Sequence, residues 1–447
     1  MVKKIFKKGI YNLKTLGRAF AYRNYRLYFA GHFTSLIGYW MQRVAFEYLI
    51  YKVTRSELYI GIVGFTMLVP IFFISPFAGV AADRINRHRM ILFTQIMATV
   101  QASILAVLAL TGTISIWQII ALSVLYGLVR AFDIPARQAF VVHMVERREN
   151  LGSAIALNSA MFNLARLVGP ALAGLVLGFA SDWIRPLVPP GSALVEFSGE
   201  GICFIINAVT YLAIIFCLLA MRLPPHKPPA LKSHPLKDLK QGIKYAFSSP
   251  PIRSILLLLA SLAFFGLFYL ALLPVVASEE LGTVEQLMQQ SFGVVKSFEQ
   301  AFGWLLSGVG IGAIMGAVFI GTRKKVQNLW RIIPVASIIF GGSIAASSFS
   351  HNFWITLVLM TLAGFGQMIQ FASSNTLLQN IVPDEKRGRV MSLYTIAIVG
   401  IVPFGRLVMG TLAEYIGTPL TLRLGGGIAV ISALVFGLGV INGLADR

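Results

Sequence analysis

Acidic side chains are scarce in this chain, which holds 18 Asp and Glu against 38 Lys and Arg in 447 residues, a formal net charge of +20. All charged residues together make up 13%, where soluble domains carry roughly 25%. That shortage excludes an ordinary water-soluble surface and points to immersion in a membrane. Cysteine is nearly absent. Cys203 and Cys217 stand fourteen residues apart on one expected helix, which is about 21 Å along its axis and too far for a disulfide. Motifs for metal or nucleotide are missing too: there is no H-E-x-x-H, no G-x-x-x-x-G-K-[ST] and no Cys/His ligand spacing. No metal, no cofactor and no enzyme chemistry are therefore expected, and uphill work has to draw on an ion gradient. No secretory leader is expected either, because the first 26 residues are basic and polar without a short apolar core.

What the chain has in abundance is apolar sequence, 56% of its residues. A bilayer-crossing helix takes about 20 such residues. Polar breaks divide the chain into twelve candidate spans, at about 27–51, 58–81, 90–110, 116–137, 152–178, 199–221, 252–277, 302–321, 332–349, 353–376, 390–413 and 420–443. The fold class expected is an all-α membrane protein. Lys and Arg gather in the N-terminal tail and in the loops after even-numbered spans. Under the positive-inside rule that distribution places both termini in the cytoplasm. It also accounts for the basic charge without nucleic acid, and makes the lipid bilayer the partner. Residues 1–26 form a basic tail, read either as an interfacial helix with Phe6, Ile10, Leu13, Gly17 and Phe20 near helical spacing or as a disordered arm. Residues 222–250, rich in proline and lysine, read as a linker with a basic surface helix from Leu236 to Phe247. They separate a six-helix bundle at 27–221 from another at 251–447. The outer loop from Ser278 to Gln300 is acidic and has room for a short helix.

Several spans carry polar residues that lipid would not accept. Arg43 and Glu47 lie four apart on the first span and share a helix face. Such a pair faces the protein interior or a water-filled cavity, either to lock one helix to a neighbour or to serve transport. Glu47 is the candidate proton carrier, with Arg43 beside it. Candidate cavity residues are His32 and Gln42 on span one, Asn158, Asn163 and Arg166 on span five, Gln367 and Gln370 on span ten, and Arg406 on span eleven. Arg166 at mid-depth needs a partner, either a substrate anion, Glu47 or a carbonyl. Arg130 and Asp133 sit one turn apart near the end of span four, where Pro135 is expected to stop or kink the helix. They read as part of a gate or, alternatively, as substrate contacts. Gly169, Pro170 and Gly174 give span five a close-packing surface and a kink.

The most ordered polar stretch runs from Gly79 to Arg89, G-V-A-A-D-R-I-N-R-H-R. Gly79 admits a neighbouring helix, Asp83 needs cations or helix N-termini nearby, and Arg84, Arg87 and Arg89 mark the cytoplasmic side. The halves also repeat. Gly152 matches Gly388, and the same offset of 236 carries Gly169 onto Gly405 and Gly174 onto Gly410. Gly127 meets Gly364 after a one-residue shift. Spans four and five thus recur as ten and eleven, in the same orientation, as in parallel-repeat transporters.

The motif at Gly79–Arg89 resembles the loop between helices two and three of major facilitator superfamily transporters. Asn24 to Ser56, Ala131 to Gly174 and Asn375 to Tyr394 are similar to its third drug–proton antiporter group, which includes enterobactin-exporter and macrolide-efflux proteins. The resemblance implies two parallel six-helix halves, alternating access, export of amphiphilic drug-like compounds or a siderophore, and proton antiport. It further implies a bacterial cytoplasmic membrane, monomeric action, and Asp83 and Arg84 as a gate against the start of helix eleven. Two positions depart from the pattern. Ser123 stands where antiporters often have a span-four arginine, and Asn86 replaces a glycine of the loop motif. A lysophospholipid flippase of the same fold is the alternative function, and a non-transporting receptor a more remote one.

Overall fold

The computed structural model describes residues 17–140, 144, 151–189, 192–222, 235–322 and 329–445. Twelve long helices organise it: α1 Arg23–Thr54, α2 Glu57–Arg84, α3 Arg87–Leu110, α4 Ile116–Phe140, α5 Leu151–Ile184 and α6 Ser198–Leu219, then α7 Pro250–Glu280, α8 Phe298–Gly321, α9 Leu329–Ser347, α10 Phe353–Ile381, α11 Lys386–Ile416 and α12 Thr418–Ala445. Eleven contain stretches long and apolar enough to cross a bilayer. The exception is α1, and its polarity has a structural cause: it is buried at every residue from Val44 to Tyr51. A helix enclosed by other helices need not present apolar side chains to lipid. Large apolar residues such as Phe77, Trp117, Phe216 and Val435 are exposed on the other helices, as a lipid-facing belt requires.

Some boundaries differ from the sequence expectation. Helix α1 starts at Arg23, inside the expected tail, because Tyr25 and Tyr28 are buried and the Tyr25 hydroxyl donates to the Ala154 carbonyl at 3.0 Å. Pro135 does not end α4, which continues to Phe140. Its downstream turn is held by the Arg137–Asp133 ion pair at 2.7 Å. Asn86, the departure from the loop motif, caps α3 by accepting from the His88 and Arg89 N–H groups at 3.0 and 3.2 Å, a role glycine cannot fill. A linker helix forms at Pro235–Ser248 and a short helix at Val284–Gln290, the latter with a capping box of Thr283 and Gln286. Of the expected tail helix, Gly17 and Phe20 fall in a short 3-10 helix at Gly17–Ala21, whereas Phe6, Ile10 and Leu13 lie outside the described residues. So do the side chains of Asp83, Arg84 and Asn163 and the surroundings of Gly79.

Helix α1 packs on α5 and α6, α2 on α4, and α3 on α4 and α6; α8 packs on α10, and α9 on α10 and α12. The first six helices meet the last six along two seams, α5 with α8 and α2 with α11. Both seams close on paired glycines. A Cβ built on Gly174 would come 3.0 Å from the Gly303 Cα, and one on Gly410 would come 2.7 Å from the Gly61 Cα. Without hydrophobic drive between helices in lipid, such close backbone approach supplies the dispersion contact that holds them. The matched glycines Gly174 and Gly410 therefore occupy equivalent places in space. Gly127 against α2 and Gly364 against α8 repeat the correspondence.

Candidate functional site

Between the halves, two arginines hold one carboxylate, and a third shares an indole ring with the first. The Glu47 Oε1 on α1 accepts from Arg43 Nε at 3.4 Å and from Arg406 Nη2 on α11 at 3.1 Å. Glu47 and Arg406 side chains are each 7% exposed. The first contact is local, one helical turn along α1. The second joins the two halves. Gly64 of α2 makes room for it, since a Cβ there would sit 2.5 Å from the Arg406 Cδ. Helix α11 reaches this point through a widened turn at Ile396–Gly400 followed by Pro403, the kind of bulge often found beside functional side chains.

Arg166 on α5 has different company. Its Nη2 donates to the Gln367 Oε1 of α10 at 3.3 Å, and its guanidinium lies 6.0 Å from the Trp40 ring centroid. Arg43 approaches the same ring at 5.2 Å. Tyr269, carried by α7 just past another widened turn at Leu262–Gly266, is in electrostatic range of Arg166 and Arg43. The Tyr269 hydroxyl, Trp40 Nε1 and Arg406 Nε are buried without a hydrogen-bond partner. Buried polar groups seldom remain so unless water or a ligand completes them.

A second carboxylate, Asp133, is treated very differently. It accepts from Arg137 Nε at 2.7 Å, Arg130 Nη1 at 3.3 Å, Thr94 Oγ1 at 3.0 Å and Gln95 Nε2 at 3.0 Å. All four donors come from α3 and α4. Arg137 Nη1 also lies 2.9 Å from His32 Nδ1. Arginine only donates, so Nδ1 accepts and the imidazole there carries its proton on Nε2. His32 thus belongs to this network inside the first half and not to the cluster between the halves.

Gln42 both ties helices together and lines a crevice. It donates to Gln101 Oε1 at 3.2 Å and accepts from Asn207 Nδ2 at 2.6 Å, tying α1 to α3 and α6. It lines a crevice with Tyr39, Arg43, Gln101, Ser123 and Tyr126. Ser123 donates to its own helix, to the Ile119 carbonyl at 2.8 Å. Arg43 is the cation of that crevice. On α10, Gln370 is fully buried and donates to Ser374 at 3.3 Å, leaving its Oε1 unpartnered, and Asn158 Oδ1 on α5 is unpartnered as well. Arg89 is exposed at the start of α3 beside Arg87. Gly169 packs on Trp40, with Pro170 inside α5.

Sequence reasoning passed over Trp40, Tyr39, Tyr269 and Arg137. Arg137 carried a signal in its spacing of four from Asp133. Trp40 carried one in lying a turn before Arg43. Tyr269 carried none, because an aromatic in an apolar run looks like core.

At the end where α1 turns into α2, called here the far end, the halves are joined by neutral donors on carboxylates. Ser56 Oγ and the Leu58 N–H donate to Glu414 at 2.7 and 3.1 Å. Thr418 donates to Glu57 at 3.3 Å, and Tyr51 donates to Glu279. Glu414 in effect caps the start of α2 from α11.

Two six-helix sets, duplicated in sequence and space and meeting on a buried charge cluster, define a multi-pass membrane transporter. The transmembrane secretion effector family model matches residues 18–188 and 184–441. This chain belongs to that family, an efflux-type branch of the major facilitator superfamily, whose members are transporters and not enzymes. Its relatives include the staphyloferrin A transporter of Staphylococcus aureus, 25% identical over 92% of this chain and 95% of the relative. The multidrug efflux pump Tap of Mycolicibacterium fortuitum is 22% identical over 85% of this chain and 86% of the pump. The enterobactin exporter EntS of Escherichia coli O1:K1 is 25% identical over 94% of this chain and 90% of the exporter. Among solved structures, a bacterial homologue of the human lysosomal transporter Spinster, in an inward-facing conformation, superposes with a TM-score of 0.68 at 15% identity, covering 95% of this chain and 98% of that one.

Proposed function

We propose that this protein exports an amphiphilic organic molecule, a siderophore or a drug-like compound, across a bacterial cytoplasmic membrane by proton antiport and alternating access. It works as a monomer with both termini in the cytoplasm, so the far end faces outward. The names of its relatives supply the substrate range, and the Glu47–Arg406 ion pair at 3.1 Å carries the coupling argument.

Glu47 can hold Arg406 or a proton, but not both. A proton removes the charge that draws Arg406 across the seam and leaves both arginines to repel each other. Protonation of Glu47 therefore weakens the contact between halves at the centre, and release of the proton restores it. The far-end hydrogen bonds at Glu414, Glu57 and Glu279 must then part for the outer side to open. Asp83 and Arg84, with Gly79, Arg87, Arg89, Arg130 and Asp133, form the corresponding gate at the cytoplasmic end in this reading. The Asp133 network keeps α3 and α4 one rigid unit while the halves move.

Proteoliposomes with an imposed pH gradient test the reading. Wild-type protein is expected to move a catecholate siderophore or a cationic dye in step with the gradient. Glu47→Gln is expected to abolish that dependence while leaving gradient-free exchange measurable. Full gradient-driven transport by Glu47→Gln would refute the coupling role. Transport of lysophospholipid alone would move the function to lipid flipping.

A further inference from the structure

Charge at the centre of this protein does not balance. Arg43, Arg166 and Arg406 contribute three cations, and Glu47 is the carboxylate among them. Glu47 is already engaged by two of the three. Arg166 is left with an amide oxygen and makes no ion pair with a carboxylate among the described residues. Arg166 is only half-buried, and a guanidinium without a counter-charge on a membrane-spanning helix faces a water-filled or substrate path. Unpartnered acceptors lie further along α5 and α10, at Asn158 and Gln370, whereas the aromatic groups facing Arg166 offer donors. The Trp40 Nε1 and Tyr269 hydroxyl are both buried, both unpartnered and both able to donate. A planar guanidinium with an indole N–H and a phenol beside it suits a carboxylate, which accepts through two oxygens and has no proton to offer.

We infer that this site takes an organic anion, and that Arg166 binds its carboxylate with Trp40 and Tyr269 as neighbouring donors. The inference rests on the reading of this cluster as the substrate site and narrows it. It also gives the anion a second effect. A carboxylate placed between Arg166 and Arg43 competes with Glu47 for the Arg43 guanidinium, so substrate entry and the Glu47 contacts oppose each other. Substrate and proton then act on the same pair from different sides, as an antiporter requires. A cationic amphiphile would add a fourth positive charge to three and finds one carboxylate, already held.

The test uses two dyes with one xanthene skeleton, carboxyfluorescein as the anion and rhodamine 123 as the cation. Equilibrium binding to the full chain in nanodiscs is followed by fluorescence anisotropy without any gradient. Carboxyfluorescein is expected to bind at least about tenfold more tightly than rhodamine 123. Arg166→Gln is expected to weaken the anion by about tenfold to a hundredfold, the range for a lost charge-assisted hydrogen bond. The same variant, with one repelling cation gone, should bind rhodamine 123 more tightly than wild type does, which also reports that it is folded. Arg166→Lys keeps the charge and loses the planar fork, so it should recover part of the anion affinity. Tighter binding of rhodamine 123 by wild type, or equal weakening of both dyes in Arg166→Gln, would overturn the anion assignment. Anion binding intact in nanodiscs with no gradient-driven movement in vesicles would instead count against the export reading and leave this one standing.

Discussion

The two seams between the halves are related by the repeat, yet they are built from different chemistry. Along α5 and α8 the contact is backbone on backbone: Gly174 on Gly303, and Gly310 against the Arg166 carbonyl and Leu167. Along α2 and α11 the same glycine contact, Gly61 on Gly410, is flanked by ionisable groups. Arg406 crosses to Glu47 on one side of it, and Glu414 reaches Ser56 and Leu58 on the other. The repeat offset that joins Gly169 to Gly405 places Pro170 opposite Arg406. One copy of the repeat thus has a kink where the other has a charge. The ionisable groups near the α5–α8 seam sit at its far end, where Lys296 lies over the Phe179 ring at 5.9 Å and Glu299 meets Tyr48, and not at the glycine contact itself. A seam held by ion pairs and carboxylate hydrogen bonds can be loosened by titration or by a competing anion. Duplication supplied the glycine contact on both sides, and divergence placed the ion pair on one of them.

The largest effect is expected from the charge itself. Glu47→Ala leaves the buried Arg406 and the partly exposed Arg43 without a counter-charge, at a cost of about 3–5 kcal/mol. Adding Arg406→Met should return much of that loss, because the pair is then absent as a unit. Thermal unfolding of the two single variants and the double in detergent measures the coupling, expected between about 1 and 3 kcal/mol. Additive losses would mean that the pair does not couple the seams.

Steric disruption comes next. Gly410→Val and Gly174→Val each drive side-chain carbon into facing backbone, at about 1–3 kcal/mol. Both should shift the protein towards a far-end-open state, read by labelling a cysteine placed at Thr418. If the seams differ as described, lowering pH should deepen the effect of Gly410→Val and leave Gly174→Val unchanged. Smallest is Ser56→Ala. It removes one donor from Glu414 while the Leu58 N–H remains, so about 0.5–1.5 kcal/mol is expected, with a modest rise in the same labelling rate.

Much of this was legible beforehand. The i, i+4 spacing of Arg43 and Glu47 gave their contact, because a helix fixes which residues share a face. Gly174 and Gly410 were found by their offset, and the structure gives the match its reason in two equivalent seams. The partners of His32 and Gln42, both within the first half, were not legible, because polarity on a span shows only that lipid is avoided. The partner of Arg166 was likewise open. Glu47, a substrate anion and a carbonyl were equally good on paper, and Glu47 had been claimed by a residue 359 positions away on α11.

By itself the sequence determined the class of this protein: helices that cross a bilayer, a duplicated arrangement, a basic side, and no nucleotide-binding motif. Those follow from composition and short periodicities, which act along the chain. Only the tertiary structure decided which buried charges balance. Partner choice at the centre joins α1 with α11 and α5 with α10, and no local rule carries information over that separation. The surplus positive charge at Arg166 is a property of that assembly, and it exists only once the helices are packed.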